Sequence, residues 1–258
     1  MNTIKILLVC AMLAWVPLHT LRAQTVILKT AKTHPMQYYV SIPKVWNDKS
    51  KLPVVILFEA ASKEYKKNIE RFIAARGESA FILVQPIHTN NGSQGRGDTS
   101  LFPYTNETWN YIDKVGDCQF NADGINAIFK EVTGEYHTED KWYVTGFEAG
   151  THMLWWMVFN RPDIVKAAAP VAGNYRARCV DESKKITLNS PIVIKNFAGD
   201  QDETMKTGGV LQAQWAQARD LAKKNGFEIS EKTATGKGHE TMEKEVMEYF
   251  ASLVNTKL

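Results

Sequence analysis

Three side chains that could do chemistry follow predicted strands of this chain. Glu148 is the central residue of Gly146-Phe147-Glu148-Ala149-Gly150, which joins an apolar strand to an apolar helix. A turn of this form is sharp and presents its central side chain, usually a serine, at the edge of a sheet. Asp200 and His239 follow later strands, in the order in which an acid and a histidine follow a nucleophile. The pattern predicts a catalytic triad whose first member is Glu148.

Other residues compete for two of these roles. Asp202 lies two residues beyond Asp200 and is a second candidate for the acid. Thr151 and Ser62 are the hydroxyls nearest to the predicted site. Thr151 lies one helical turn beyond the predicted turn, and Ser62 lies where a helix cap is expected. We therefore do not expect either hydroxyl to act as a nucleophile.

The elements that position these residues alternate between strands and helices. Apolar runs predict strands at 25–29, 38–42, 54–58, 81–84, 142–145, 167–171, 192–194 and 227–232. Helical periodicity predicts helices at 64–76, 123–132, 151–159, 212–224 and 243–253, and a long polar loop at 88–120. This alternation predicts an α/β fold with a mostly parallel sheet of about eight strands and helices on both faces. Ligands are then expected beyond the carboxyl ends of the strands.

The N-terminal segment predicts export of a single domain. Residues 1–23 combine a basic Lys5, an apolar run and a small residue at Ala23, as in a secretory signal peptide. We expect a periplasmic or secreted protein whose residues 24–258 form one domain. Loss of Lys5 and Arg22 lowers the basic residues from 31 to 29 against 28 acidic ones, which does not indicate a nucleic-acid partner. No later segment is apolar enough to predict a membrane span.

Two cysteines remain after cleavage, Cys118 and Cys179. In an exported protein two cysteines can form one disulfide. The alternative is two unrelated buried thiols. Their spacing does not suggest zinc, and we expect neither a metal nor a cofactor.

Several segments resemble the secreted polyhydroxybutyrate depolymerase and feruloyl-esterase-like group of α/β-hydrolases, from about residue 37 to the C-terminus. They are Pro53-Val54-Val55-Ile56-Leu57, Glu107-Thr108-Trp109-Asn110-Tyr111, Ala122-Asp123-Gly124-Ile125, Tyr143-Val144-Thr145-Gly146, Arg161-Pro162-Asp163, Ala168-Ala169-Pro170-Val171-Ala172-Gly173 and Pro191-Ile192-Val193-Ile194. The resemblance implies an α/β-hydrolase fold and a relation to carboxylic ester hydrolases. It also implies an oxyanion hole at Ala60 and Ala149, and a substrate cleft that includes Glu59, Trp109 and Tyr111.

This chain departs from the family pattern at two linked positions. Glu148 replaces the serine, and Glu59 replaces the glycine of the oxyanion loop. A carboxylate is a weaker nucleophile than an activated serine, and attack on an ester carbonyl would leave a mixed anhydride. Negative charge beside an oxyanion hole also opposes the charge that develops there. Contact with His239 would instead favour a charged cluster of Glu148, His239 and Asp200.

These residues leave three hypotheses open. The first is a non-catalytic protein that binds a small-molecule, glycan or ester ligand in the cleft, with Trp109 and Tyr111 as an aromatic wall; packing of the loop is the alternative role for these rings. The second is a hydrolase with changed chemistry that uses Glu148, His239 and Asp200 on an ester, lactone or epoxide. The third is a metal or cation site that uses Glu59 and Glu148 with His239 or Asp200.

Overall fold

The computed structural model describes residues 26–89, 98–187 and 191–255, and one eight-stranded sheet dominates them. The strands are β1 (Val26–Thr30), β2 (Gln37–Ser41), β3 (Val54–Phe58), β4 (Ile82–Pro86), β5 (Trp142–Phe147), β6 (Val165–Val171), β7 (Val193–Gly199) and β8 (Glu228–Ala234). Their order across the sheet is β1-β2-β4-β3-β5-β6-β7-β8. β2 is antiparallel to β1 and β4, and the pairs from β4 to β8 are parallel.

Six helices cover the sheet within the described residues. They are α1 (Tyr65–Arg76), α2 (Asn106–Val115), α3 (Asp117–Tyr136), α4 (Thr151–Asn160), α5 (Val210–Lys224) and α6 (Glu243–Asn255). α1 and α6 contribute to one hydrophobic core, and α2 to α5 contribute to the other. Each face of the sheet is therefore packed against helices.

The central strands are apolar throughout because both of their faces are buried. All five residues of β3 are buried. Val54, Ile56 and Phe58 belong to one core, and Val55 and Leu57 belong to the other. This alternation is the period of two that a strand imposes on its side chains. The predicted α/β architecture, with about eight strands and helices on both faces, is confirmed.

The long polar loop predicted at 88–120 is wrong over part of its length. α2 lies within that range, and α3 begins before its end. The Thr105 hydroxyl accepts a hydrogen bond from the Thr108 backbone N–H, which caps α2. Trp109 and Ile112 are buried on the same helical face. The residue types of α2 have low helix propensity, so cap and packing decide its conformation.

No helix within the described ranges combines the length and apolar character needed to cross a membrane. The predicted signal peptide at residues 1–23 lies outside the described part of the chain.

Candidate functional site

Glu148 lies in a tight turn between β5 and α4. Its backbone φ is 45°, in the left-handed region that residues other than glycine seldom adopt. Residues Glu148–Gly150 form one 3-10 turn that leads directly into α4. A non-glycine residue held at positive φ stores strain of about 1–3 kcal/mol, and such residues cluster at functional sites. The backbone therefore presents the Glu148 side chain as a nucleophile turn does.

Both glycines of this turn are closely packed, and at Gly150 the backbone of the neighbouring strand end leaves no room for a side chain. A Cβ added to Gly150 would lie 2.6 Å from the Glu59 carbonyl oxygen. A Cβ on Gly146 would lie 3.0 Å from the Gly150 carbonyl carbon and 3.2 Å from the Phe58 Cβ. The turn is therefore pressed against the end of β3 and the residue that follows it.

The Glu148 carboxylate has no partner among the described residues. The side chain is half-buried, and no hydrogen bond or ion pair involves its carboxylate within that part of the chain. The backbone is held instead, since the Thr151 hydroxyl donates to the Glu148 carbonyl oxygen at 2.6 Å. The predicted charged cluster of Glu148, His239 and Asp200 does not form in this structure.

His239 is paired with Asp202. Its Nδ1 lies 2.8 Å from Asp202 Oδ2, and its ring lies 5.0 Å from the ring of Phe147, measured between centroids. Phe147 immediately precedes Glu148, so the loop after β8 does bring His239 beside the turn. The Asp202 side chain is 1% exposed, whereas that of His239 is 37% exposed. A buried carboxylate thus orients an accessible imidazole, as in a triad.

The prediction that Asp200 partners His239 is wrong. Asp200 is exposed, and its Oδ1 accepts a hydrogen bond from the Gly236 backbone N–H at 2.8 Å. This bond ties the end of β7 to the loop that carries His239. The two loops approach closely, because a Cβ on Gly199 would lie 2.6 Å from the Gly238 carbonyl oxygen. Asp200 therefore stabilises the loop after β8, and Asp202 orients the imidazole ring of His239.

The environment of Asp202 favours its charged form. Burial alone raises the pKa of this carboxyl, but hydrogen bonds from Thr204 and His239 and the charge of His239 outweigh burial, so the pKa lies below its ordinary value. Thr204 donates to Oδ1 through its backbone N–H at 2.9 Å and its hydroxyl at 2.6 Å. The carboxylate stabilises the fold at neutral pH, and that stabilisation is lost as pH falls through the depressed pKa.

We expect Asp202→Asn to lower the free energy of unfolding by about 2 kcal/mol at pH 7, because it weakens a buried hydrogen bond to a charged group. Asp200→Asn keeps an oxygen that can accept the hydrogen bond from the Gly236 N–H. We expect this variant to change the free energy of unfolding by less than about 0.5 kcal/mol. Urea unfolding at pH 7 measures both variants. Equal losses would contradict the assignment of Asp202 as the partner of His239.

Glu59 is buried beside the turn, and its carboxylate faces α1. Its side chain is 3% exposed, and one oxygen accepts a hydrogen bond from the Ser62 hydroxyl at 2.6 Å. Arg71 Nη2 lies 3.7 Å from the other oxygen, and Arg71 Nε donates to Glu243 at 2.7 Å. Arg71, which sequence reasoning did not single out, therefore links the loop after β3 to the start of α6. Ser62 serves as a donor to Glu59 here.

Burial raises the pKa of the Glu59 carboxyl, although Ser62, Arg71 and the backbone of Ala60 oppose that shift. Ala60 and Ala149, the predicted oxyanion-hole positions, are both buried. The Ala60 backbone group thus already interacts with a carboxylate of the protein. A substrate oxyanion would compete with Glu59 for that amide.

We expect Glu59→Gln to stabilise the fold by about 1 kcal/mol at pH 7. A raised pKa means that the folded protein binds more protons than the unfolded chain above the ordinary carboxyl pKa, so stability falls as pH rises through that window. The neutral glutamine avoids the free-energy cost of burying a charged carboxylate. Arg71 still pairs with Glu243 in this variant. Urea unfolding from pH 4 to 7 should show the gain shrinking towards pH 4. A gain that is independent of pH would contradict the argument.

Of the two roles left open for Trp109, a wall of the cleft or packing of the loop, the structure shows packing. Its side chain is 3% exposed and packs edge-on against Phe102, with ring centroids 5.3 Å apart. The ring centroid of Tyr104 lies 6.0 Å from that of Trp109. Tyr111 is exposed, and its ring contacts His34 and Phe120. Trp109 therefore fills the core under α2, where its large ring buries most area.

Cys118 and Cys179 form a disulfide between α3 and the segment that follows β6. Their Cα atoms are 5.3 Å apart, which suits such a bond. Beside it, Arg178 forms an ion pair with Asp117. Within the described ranges, no three His, Cys, Asp or Glu side chains come close enough together to hold a metal ion.

No protein-family model matches this sequence, and no curated protein matches it. Solved structures do match. A ferulic acid esterase from Anaeromyces mucronatus, solved with ferulic acid, has a TM-score of 0.59 at 16% identity over 88% of this chain and 88% of its own. The poly(3-hydroxybutyrate) depolymerase LpqC from Bordetella parapertussis has a TM-score of 0.56 at 16% identity over 91% of both chains.

A longer protein shares the same fold. An acylaminoacyl peptidase has a TM-score of 0.54 at 13% identity over 90% of this chain, which spans 41% of that chain. At these identities the likeness concerns the fold. With the parallel sheet, the strained turn at Glu148 and the Asp202–His239 pair, these matches show that the chain has the α/β-hydrolase fold.

Proposed function

We propose that this chain is an exported protein that uses an esterase-type α/β-hydrolase fold to bind a small-molecule, glycan or ester ligand without hydrolysing it. The observation that carries the proposal is the carboxylate of Glu148 at the nucleophile turn. In a serine esterase that position supplies a hydroxyl, which a histidine activates.

The chemistry of a carboxylate supports this proposal. Attack by Glu148 on an ester carbonyl would give a mixed anhydride, which is less stable than the ester that it replaces. A serine hydroxyl gives an ordinary acyl ester instead. In the serine mechanism the histidine removes the hydroxyl proton of the nucleophile. A carboxylate carries no such proton, so His239 cannot activate Glu148 in this way.

The oxyanion loop supports the proposal independently. An oxyanion hole works because N–H donors point at developing negative charge, and the loss of one donor lowers the rate about 100- to 1,000-fold. Glu59 places a buried carboxyl next to Ala60 on this loop. Both departures from a serine esterase therefore oppose ester hydrolysis.

One observation favours a second candidate, a hydrolase with changed chemistry. His239 keeps a buried carboxylate partner and remains exposed beside the turn. Such an imidazole can act as a general base towards water, with Glu148 attacking an alkyl carbon of an epoxide or lactone. Mass spectrometry of protein incubated with an epoxide would detect a covalent adduct on Glu148.

Turnover of p-nitrophenyl acetate and butyrate tests the proposal. We expect wild-type protein to match its His239→Ala variant, with neither above the buffer rate. Glu148→Gln is the matched control, since it keeps shape and removes charge. A wild-type rate that falls at least tenfold in both variants would overturn the proposal and assign catalysis to Glu148.

The proposed export makes a separate prediction. Expression of the full chain in a bacterial host should place the protein outside the cytoplasm, with Gln24 as its first residue. N-terminal sequencing of the periplasmic and medium fractions checks this. A protein that retains Met1 and stays in the cytoplasm would contradict it.

A further inference from the structure

An open groove with a volume of about 400 Å³ lies between the start of α1 and the segment that precedes α2. Its walls come from the loop after β3, from α1 and from the segment at 100–103. This volume is within the range of about 300–1,000 Å³ that small-molecule sites span. Glu148, Asp202 and His239 do not line it.

The floor of the groove is apolar. The rings of Tyr65 and Phe102 are almost fully buried and form part of its lining. Leu101 lies at its edge and is 48% exposed, so its side chain offers an accessible apolar surface to the groove. Tyr39 adds a half-buried ring. This surface can cover an apolar ligand.

The rim of the groove is basic. Lys63, Lys66 and Lys67 line it, against the single carboxylate of Glu64. Lys67 pairs with Glu64, and Lys66 lies 3.9 Å from Glu70, at the limit of an ion pair. The lining residues therefore carry a net positive charge.

Lys63 is the cation best placed for a ligand. Its Nζ lies 4.7 Å from the centroid of the Phe102 ring, and no ion pair within 4.0 Å involves it in the described part of the chain. Its backbone φ is 56°, in the left-handed region, and its N–H donates to the Ala60 carbonyl oxygen at 3.3 Å. A turn of this kind fixes the start of the side chain over the aromatic floor.

The surroundings of Lys63 make its charge available to an anion. Burial lowers the pKa of its ammonium group, and the charge of Asp98 opposes that shift. Asp98 is itself engaged, since it accepts hydrogen bonds from the backbone N–H and the hydroxyl of Ser100. An anionic ligand would restore the electrostatic stabilisation that Lys63 loses through burial.

We propose that this groove binds an organic monoanion with an apolar body, whose charged group pairs with Lys63 and Lys66 and whose apolar part lies on Leu101 and Phe102. Charge complementarity supports an anion, and the buried rings with the exposed leucine support an apolar body. The proposal is independent of catalysis at Glu148, because the two sites share no lining residue.

Calorimetric titration with sodium octanoate, and with neutral 1-octanol as the paired ligand, tests this proposal. We expect octanoate to bind with one site per chain, and Lys63→Met/Lys66→Met to weaken it at least tenfold. Exposed lysines elsewhere supply a matched control, Lys44→Met/Lys185→Met, which should leave the affinity unchanged. Leu101→Ser should weaken octanoate binding about threefold or more and leave the two lysines in place.

Three results would overturn the proposal. They are absence of octanoate binding to the wild-type protein, equal affinity for octanoate and 1-octanol, and equal losses in the groove variant and the control variant. Thermal melts of each variant establish that the fold is intact. Esterase assays on the same samples are not needed, so this test and the turnover test can fail separately.

Discussion

The double variant Glu148→Ser/Glu59→Gly is expected to hydrolyse p-nitrophenyl acetate at least 1,000-fold faster than the wild-type protein. Glu148 already sits at the strained φ of 45° that presents a nucleophile, and serine can occupy the same backbone. The acid and histidine need no change, since Asp202 and His239 are 2.8 Å apart. The substitution therefore supplies the hydroxyl that the Asp202–His239 pair needs to complete a catalytic triad.

The expected increase in hydrolysis rate has two separate sources, the completed triad and the restored oxyanion hole. A complete catalytic triad raises the rate of hydrolysis by up to about a million-fold. The expected 1,000-fold gain therefore requires the new triad to recover only a small part of that rate increase. Each oxyanion donor contributes about 100- to 1,000-fold. Glu59→Gly removes the carboxyl that competes for the Ala60 amide, whereas Glu148→Ser alone leaves it. We therefore expect the single variant to reach about one hundredth of the double variant's rate.

Initial rates with p-nitrophenyl acetate, with the wild-type protein as baseline, measure both variants. Adding His239→Ala to the double variant is the matched control and should return the rate to that baseline. A double variant within tenfold of wild type, with an unchanged melting temperature, would contradict the view that only the nucleophile and the oxyanion loop are disabled.

The parts of the site that follow buried strands could be predicted from the sequence. β3 and β5 are apolar runs buried on both faces, and their carboxyl ends necessarily meet at one edge of a parallel sheet. Gly146 and Gly150 indicate the turn, and at Gly150 only glycine allows the close approach to the end of β3. His239 reached the same edge because its loop follows β8.

The choice between Asp200 and Asp202 could not be made in this way. Both follow β7, and the turn that starts at Asp200 directs one side chain to Gly236 and the other to His239. The direction of a loop side chain depends on backbone angles that residue types alone do not fix. The same holds for Glu59, whose partner Arg71 belongs to a helix later in the chain.

Removal of the disulfide is expected to have the largest effect on stability. Cys118 and Cys179 are 61 residues apart, and closing a loop of that length in the unfolded chain corresponds to about 4 kcal/mol in the chain-entropy model. Cys118→Ser/Cys179→Ser should lower the free energy of unfolding by roughly that amount. Urea unfolding of the oxidised wild type and the double variant, both at pH 7, measures it.

The neighbouring ion pair supplies the control for this prediction. Asp117→Asn removes one charged partner of Arg178 beside the bridge but leaves the covalent link, so we expect a loss of less than about 1 kcal/mol. The segment that carries Cys179 is also tied to α4, because the Asn174 backbone N–H donates to the Thr151 hydroxyl at 2.8 Å. That bond can keep the folded segment in place without the bridge. A loss near 4 kcal/mol with an unchanged near-ultraviolet circular dichroism spectrum would show that the disulfide acts on the unfolded chain. A loss below about 1 kcal/mol would contradict the predicted stabilisation by the disulfide.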